Sequence, residues 1–451
     1  MDAVWKGLHR ISPMKIILAG YLLIIFAGTG LLCLPISVKA GEAVTSFSDA
    51  LFTATSATCV TGLIRFDTYT HWSFFGQLVI LGLIQVGGIG FMTFAIYVVS
   101  MTKKKISLTT RVVMQNSISA PQVGGIVKMT RFIIWGTLLI EGTGAVLLSF
   151  YFCPRIGFFK GVWFGIFHSI SAFCNAGFDL MGNTEAFSSL TSVGGNWYIN
   201  IIIMLLIVIG GLGFFVWRDL ITNKFSFKKL RLHSKLVLTV SIGLIVGGAV
   251  LLFAFEYRNT AFAGISLPEK GLAALFQSVT ARTAGFNTMD LTKLTHSGQF
   301  LLILLMMIGG SSGSTAGGIK TTTFAVFVMT IPSTMRQKKN MEAFGRRMED
   351  SIARVAACIV SMYLFFTTFA AMIISSVEGI SLLTALFETV SAMGTVGLTL
   401  GITTKLCMVS KCILILLMFI GRVGSVTLLI AVSSDKNRSV SRLPVEKIQV
   451  G

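Results

Sequence analysis

Charge is what this chain has least of. Asp, Glu, Lys and Arg make up 12% of its 451 residues, where a soluble domain carries about 25%. That shortage excludes an ordinary soluble protein. Apolar residues reach 54% and the mean hydropathy is +0.82. Several stretches of about 18 or more residues run almost uncharged, long enough to cross a hydrocarbon core of about 30 Å. Acids are scarcer than bases, 18 against 37. No paired acids, His-Cys cluster or nucleophile with a base stands at a common depth, so an enzyme is not expected. The seven cysteines are odd in number and lack Cys-x-x-Cys spacing. They read as small apolar packing residues, not a disulfide framework. No large soluble domain interrupts the apolar stretches.

The charge present is unevenly placed. With the loops taken alternately, one side holds the N-terminus, residues 102–131, 218–235 and 335–354, and the C-terminal tail. These segments carry 25 Lys and Arg against 7 acids, and the other side 9 against 10. Such asymmetry is the positive-inside rule and puts those segments and both termini in the cytoplasm. The net charge of +19 thus reflects membrane topology and attraction to anionic lipid, not nucleic-acid binding. Lys6, Arg10 and Lys15 before an apolar run, and Val38-Lys39-Ala40 after it, imitate a signal peptide. The run is long for a signal core and is needed as the first helix, so cleavage is not expected.

Four segments repeat. Phe52, Phe167, Phe276 and Phe387 each open one, and four residues later comes Ser or Thr followed by Ala (Ser56-Ala57, Ser171-Ala172, Thr280-Ala281, Ser391-Ala392). Each segment ends on Gly and then Leu or Phe, at Gly62, Gly177, Gly285 and Gly397, spaced 115, 108 and 112 residues apart. A second mark follows each: Val86-Gly87-Gly88-Ile89-Gly90, Ile209-Gly210-Gly211-Leu212-Gly213, Ile308-Gly309-Gly310-Ser311-Ser312-Gly313 and Ile420-Gly421-Arg422-Val423-Gly424. A fixed period across most of a chain marks a repeat architecture. The expected fold is all-α integral membrane. It has four tandem helix–pore loop–helix units, hence eight spanning helices and four re-entrant pore helices, around one pore. The units cover 1–110, 111–225, 226–335 and 336–451. First helices are expected near 14–34, 130–153, 235–256 and 353–377, and second helices near 74–101, 197–220, 298–331 and 406–432. The Ser/Thr/Ala segments between them, at 1.5 Å per helical residue, reach only halfway across a bilayer and must turn back.

Non-helical backbone at membrane depth survives only inside protein or against a watery cavity. Four such loops around one axis would make that cavity. Glycine permits backbone conformations closed to other residues and so could turn carbonyls inward to replace the hydration shell of a cation. The candidate filter is Cys59, Val60, Thr61 and Gly62; Cys174, Asn175, Ala176 and Gly177; Arg282, Thr283, Ala284 and Gly285; and Gly394, Thr395, Val396 and Gly397. No acid lies in it, which fits carbonyl coordination of a dehydrated monovalent cation. Potassium is the expected substrate, met by filter backbone carbonyls only, with no cofactor in this chain.

The third unit breaks its second helix with Gly309, Gly310, Ser311, Ser312, Gly313, Ser314, Thr315, Ala316, Gly317, Gly318, Ile319 and Lys320. The run imitates a phosphate-binding loop, but Ile319 separates Gly318 from Lys320 where that motif needs Gly-Lys. A flexible break acting as a gate is the better reading. Arg422 replaces the second glycine of the fourth mark. A guanidinium inside a span is costly and faces a cavity or a partner: either the carbonyls of the 309–318 loop, or Glu141. Arg282 is expected to brace the pore through an acid such as Glu388 or Glu256, since on the pathway it would repel the ion. His168 reads as a packing residue over a proton relay.

At these residues the chain resembles the membrane subunit of bacterial Ktr-type potassium uptake systems, in the Trk/Ktr/HKT superfamily. The resemblance rests on the four filter glycines, on Gly313-Ser314-Thr315-Ala316-Gly317-Gly318-Ile319-Lys320 and on Phe419-Ile420-Gly421-Arg422. It covers nearly the whole chain. It implies four pseudo-symmetric units, a homodimer in the bacterial plasma membrane, and potassium uptake that is often stimulated by sodium. It also implies regulation by a cytosolic nucleotide-binding ring, with 309–318 as gating loop and Arg422 near it. Glycine at all four filter positions favours potassium. The alternative is a sodium-coupled or sodium-conducting secondary cation transporter, whose broken helices would surround a midplane site.

Overall fold

The computed structural model describes residues 13–90, 125–337, 340–349 and 351–424. Helices dominate. In order they are α1 (Pro13–Leu32), α2 (Phe47–Cys59), α3 (Phe74–Ile89), α4 (Ile126–Ile156), α5 (Phe158–Phe173), α6 (Trp197–Leu212) and α7 (Phe214–Thr222). Then come α8 (Leu232–Glu256), α9 (Leu267–Thr280), α10 (His296–Met307), α11 (Thr321–Met335), α12 (Ser351–Glu378), α13 (Leu382–Gly394) and α14 (Met408–Val423). A two-residue hairpin, Glu342–Ala343 against Arg346–Arg347, lies between α11 and α12. The basic N-terminus, most of 102–131 and the C-terminal tail lie outside the described residues.

Among the described residues, four helices are each long and apolar enough to cross a membrane, α1, α4, α8 and α12, and the bent pair α6 and α7 passes when taken as one span. The four match the expected first helices. Only about a third or less of their most apolar windows is buried, and Leu23, Leu139, Phe150 and Phe365 stand more than 60% exposed. A helix apolar on its outward face needs lipid there. The short helices α2, α5, α9 and α13 pack inside this shell. Ser46 and Ser381 cap α2 and α13 through their side chains, and Ser266 with Glu269 forms a capping box on α9, satisfying otherwise orphaned N–H groups. The motif phenylalanines Phe52, Phe167, Phe276 and Phe387 are all buried, as is every Ser/Thr-Ala pair that follows. The motif is thus the inward face of each short helix.

The expected second helices differ from what forms. α3 stops at Ile89, α14 stops at Val423, and α6 bends by 93° into α7. The stop is the last glycine of each mark: Gly90 (φ 88°), Gly213 (φ 93°) and Gly424 (φ 90°). Those values lie outside the helical region and are open to glycine alone at little cost. Continuous helices over 197–220 and through 424 are therefore corrected; 91–101 and 425–432 lie outside the described residues. The first glycine of each mark has a different task. A Cβ on Gly87, Gly210 or Gly421 would come within 3.0 Å of the backbone carbonyl of Thr58, Phe173 or Met393, the C-terminal ends of α2, α5 and α13. These glycines let the second helix lie directly against the short helix. Gly421→Ala is expected to destabilise by about 2 kcal/mol, in the range of core overpacking. A drop in the unfolding temperature of detergent-purified protein would register it; an unchanged temperature would show that the two helices can separate freely.

Candidate functional site

The four short helices end alike. The residue two before each motif glycine is left-handed: Val60 (φ 57°), Asn175 (φ 59°), Thr283 (φ 76°) and Thr395 (φ 52°). The glycines themselves also have positive φ, at 92°, 69°, 82° and 93° for Gly62, Gly177, Gly285 and Gly397. Val and Thr rarely adopt this conformation, and it persists only where the surroundings hold it. Here the motif Ser/Thr holds it. Thr61, Ala176 and Val396 donate backbone N–H to the carbonyls of Ser56, Ser171 and Ser391 at 2.8 Å, and Ala284 to that of Thr280 at 2.9 Å. Gly62 N–H and Gly397 N–H then bond the hydroxyls of Ser56 (3.1 Å) and Ser391 (3.0 Å).

The loops close into a ring. A Cβ on Gly62 would clash with the carbonyl of Ala176, on Gly177 with that of Ala284, on Gly285 with that of Val396, and on Gly397 with that of Thr61, each within 3.0 Å. The order runs first to second to third to fourth and back to first. Each carbonyl belongs to the residue before the next loop's glycine, so one oxygen per loop lies at the level of the ring. No acidic side chain lies in the four segments. The whole set of sequence-predicted filter residues is brought together, with Cys59, Cys174, Arg282 and Gly394 at the short-helix ends and all sixteen buried.

The 309–318 segment sits against this ring as a hydrogen-bonded loop between α10 and α11, not a loose break. Its neck is closed where Gly309 N–H bonds Ile319 O (2.9 Å) and Ile319 N–H bonds Met307 O (3.2 Å). Ser311 and Thr321 share a hydroxyl bond at 2.9 Å. Outward contacts follow: Ser311 N–H to Gly211 O (2.9 Å), Phe214 N–H to Gly313 O (2.8 Å) and Thr315 Oγ1 to Phe173 O (3.1 Å). Gly317 has room only for hydrogen, because a Cβ would overlap Thr395 Oγ1. Three cations donate to the loop's carbonyls: Lys320, Arg422 and, at the neck, Arg282. Lys320 Nζ donates to Ala316 O at 2.7 Å. Arg422 donates to Thr315 O, and also to Gly87 O and to Gly88 O (3.1 Å).

Arg422 thus takes the loop-carbonyl option, and its second anchor on α3 was not foreseen. Glu141 is not its partner; that carboxylate accepts from Gln85 Nε2 (2.9 Å) and lies 3.6 Å from Cys174 Sγ. The expected acid for Arg282 is also corrected. Its guanidinium donates to Ser241 Oγ (3.3 Å) and Gly309 O (3.4 Å), bracing the neck of the loop. Glu256 instead caps α10, accepting from Thr295 N–H (3.1 Å), and Glu388 is held by Thr399 and Thr403. Arg282 follows the C-terminal end of α9 toward the loop, whereas Glu256 ends α8 beside Thr295 and Glu388, in the middle of α13, faces Thr399 and Thr403. His168 is buried, with Nδ1 bonded to Phe164 O (2.8 Å) and its ring stacked near Phe152. All seven cysteines are free.

An ion pair joins α2 to α14. Lys411 Nζ on α14 lies 2.6 Å from Asp49 Oδ1 on α2, and Arg65 Nε, just after Gly62, lies 3.3 Å from the same oxygen. Asp49 and Lys411 are about nine-tenths buried. Removing Asp49 leaves the buried Lys411 ammonium alone, a cost of about 3 kcal/mol. Asp49→Asn is expected to lower thermal stability accordingly, with Asp49→Asn/Lys411→Met recovering much of it. A double variant as unstable as the single one would mean the pair is not the cause.

The comparisons with known proteins follow this geometry. The family model described as TrkH, cation transport protein, matches residues 22–440. The potassium/sodium uptake protein NtpJ of Enterococcus hirae is 41% identical over 98% of each chain. Ktr system potassium uptake protein B of Bacillus subtilis is 39% identical over 98% of this chain and 97% of its own. Among solved structures, the potassium transporter TrkH of Vibrio parahaemolyticus superposes with a TM-score of 0.73 over 94% of this chain and 86% of that one, at 18% identity. That likeness shows the fold. The family model, matching most of the chain, and the relatives at 41% and 39% identity place this multi-helix membrane chain in the TrkH family of cation transport proteins.

Proposed function

We propose that this protein takes up potassium across the bacterial plasma membrane through a selectivity filter of backbone carbonyls. The observation that carries the reading is the closed ring of Gly62, Gly177, Gly285 and Gly397, each against the carbonyl of the next loop. Four carbonyls at one level replace the hydration shell of a monovalent cation, and the lack of acids in the loops keeps the site from holding the ion too tightly. Relatives named for potassium uptake support it. In this reading the chain forms four units and eight spans, several of them broken, with both termini cytoplasmic. The 309–318 loop is the gate, held by Arg422 and Lys320. A homodimer and a cytosolic nucleotide-binding ring complete the system, supported by kinship to a Ktr system protein. Sodium as an activator, or as a second conducted ion, is favoured by the potassium/sodium naming of the Enterococcus relative.

Purified protein in liposomes, with the regulatory partner added, should pass rubidium down its gradient. Absence of any cation flux under those conditions would overturn the reading.

A further inference from the structure

The residue after the motif phenylalanine is polar in all four units: Thr53, His168, Gln277 and Glu388. All four are buried. Two of them reach the strand that leaves the glycine. His168 Nδ1 is committed to Phe164 O at 2.8 Å, so Nδ1 carries the proton and Nε2 is free to accept. Nε2 accepts Leu180 N–H at 3.3 Å, three residues past Gly177. Glu388 does the same work with a carboxylate. Its Oε1 accepts from Thr399 Oγ1 at 3.2 Å, two residues past Gly397, and from Thr403 Oγ1. Thr403 Oγ1 also bonds Thr399 Oγ1 (2.9 Å), which in turn receives Gly401 N–H (3.0 Å). Among the described residues no basic side chain pairs with Glu388, and its Oε2 has no hydrogen-bond partner.

Apolar side chains would fill these places without leaving an unpartnered buried oxygen, which is costly. A fully buried carboxylate kept for two threonine hydroxyls therefore needs a function other than packing. The second and fourth units face each other across a four-membered ring, so the two props act on opposite sides of it. Different chemistry at the same register serves the same contact.

We propose that Glu388 and His168 are positioning residues for ion selectivity, fixing the outer course of the second and fourth filter strands from behind and so the spacing of the carbonyl ring. Neither touches the ion. Glu388 acts through Thr399, and His168 through the Leu180 amide. Among the described residues the other two units show no such prop: Thr53 turns back to Asp49 O (2.9 Å), and neither side-chain atom of Gln277 has a partner. The ring is therefore held firmly along one diagonal and more loosely along the other.

The inference rests on the potassium-filter reading, and the test separates the two. Rubidium influx into liposomes is competed with potassium and with sodium, and the ratio of the two inhibition constants is read. If the unmodified chain shows no potassium preference, the filter reading itself fails. If it does, Glu388→Ala should shrink the ratio by about fivefold or more, the scale of one lost hydrogen bond. Glu388→Gln keeps an acceptor at Oε1 and should hold the ratio near that of the unmodified chain. His168→Phe should shrink it and His168→Gln restore part. Thr399→Val removes the same bond from the other partner and serves if Glu388→Ala does not fold. A purely structural residue would lower the yield of folded protein and leave the ratio alone. An unchanged ratio in Glu388→Ala, Thr399→Val and His168→Phe would overturn the proposal, as would a loss in Glu388→Gln equal to that in Glu388→Ala.

Discussion

Gly397→Ala should abolish selective uptake. Its φ of 93° is costly for an L residue, by about 1–2 kcal/mol. The added methyl would overlap the Thr61 carbonyl, with Gly62 Cα only 2.9 Å away, and overpacking costs another 1–3 kcal/mol. Neither strain can relax outward, because the loop is closed on both sides by its neighbours. The filter must widen or shift, and the two costs together correspond to about a 100-fold loss of potassium preference. The other ring glycines should follow the tightness of their contacts. Gly177, whose nearest neighbour is 2.8 Å away, should be the mildest. Gly41 has the same φ of 93° but nothing within 4 Å, so Gly41→Ala should leave the preference intact. Rubidium influx competed by potassium and sodium measures all of them. A Gly397→Ala protein as selective as the unmodified chain would mean that the ring does not select the ion.

Arg422→Ala should raise flux in the absence of the regulatory partner. The guanidinium holds Thr315 O on one side and Gly87 O and Gly88 O on the other, tying the 309–318 loop to α3. Hydrogen bonds from a charged donor are worth about 1.5–3 kcal/mol each. Losing them frees the loop from one of its cationic clasps and leaves Lys320 on Ala316 O and Arg282 on Gly309 O. Basal rubidium flux should rise by about tenfold, the effect of one such bond on the open population. Deleting several residues of 311–318 should do the same. Unchanged basal flux in both variants would remove the loop from the gating account.

Much of this architecture was legible in the sequence, for particular reasons. The first helices α1, α4, α8 and α12 carry long uncharged runs, so their limits could be read closely. The Phe-to-Gly motif repeated because each of its residues has one place: the Phe inward, the Ser or Thr carbonyl on the returning amide, the Gly against its neighbour. What escaped were contacts between units. The left-handed turns at Val60, Asn175, Thr283 and Thr395 have no common residue type, since the ring and the Ser/Thr cap impose them. The glycines of the second mark were seen as a repeat, but not as two tasks: close approach at Gly87, Gly210 and Gly421, and a helix stop at Gly90, Gly213 and Gly424. Arg282 was expected to find an acid, because a buried cation in an apolar chain suggests one. It finds the Gly309 carbonyl instead, a partner that exists only because the third helix is broken there.

The most direct test of the central claim is ion competition against rubidium influx in liposomes containing the purified chain and its regulatory partner. Potassium should block that influx at concentrations well below those at which sodium does. Equal competition by sodium, or a fixed sodium-to-potassium stoichiometry of transport, would contradict a potassium-selecting carbonyl ring and point to a coupled transporter.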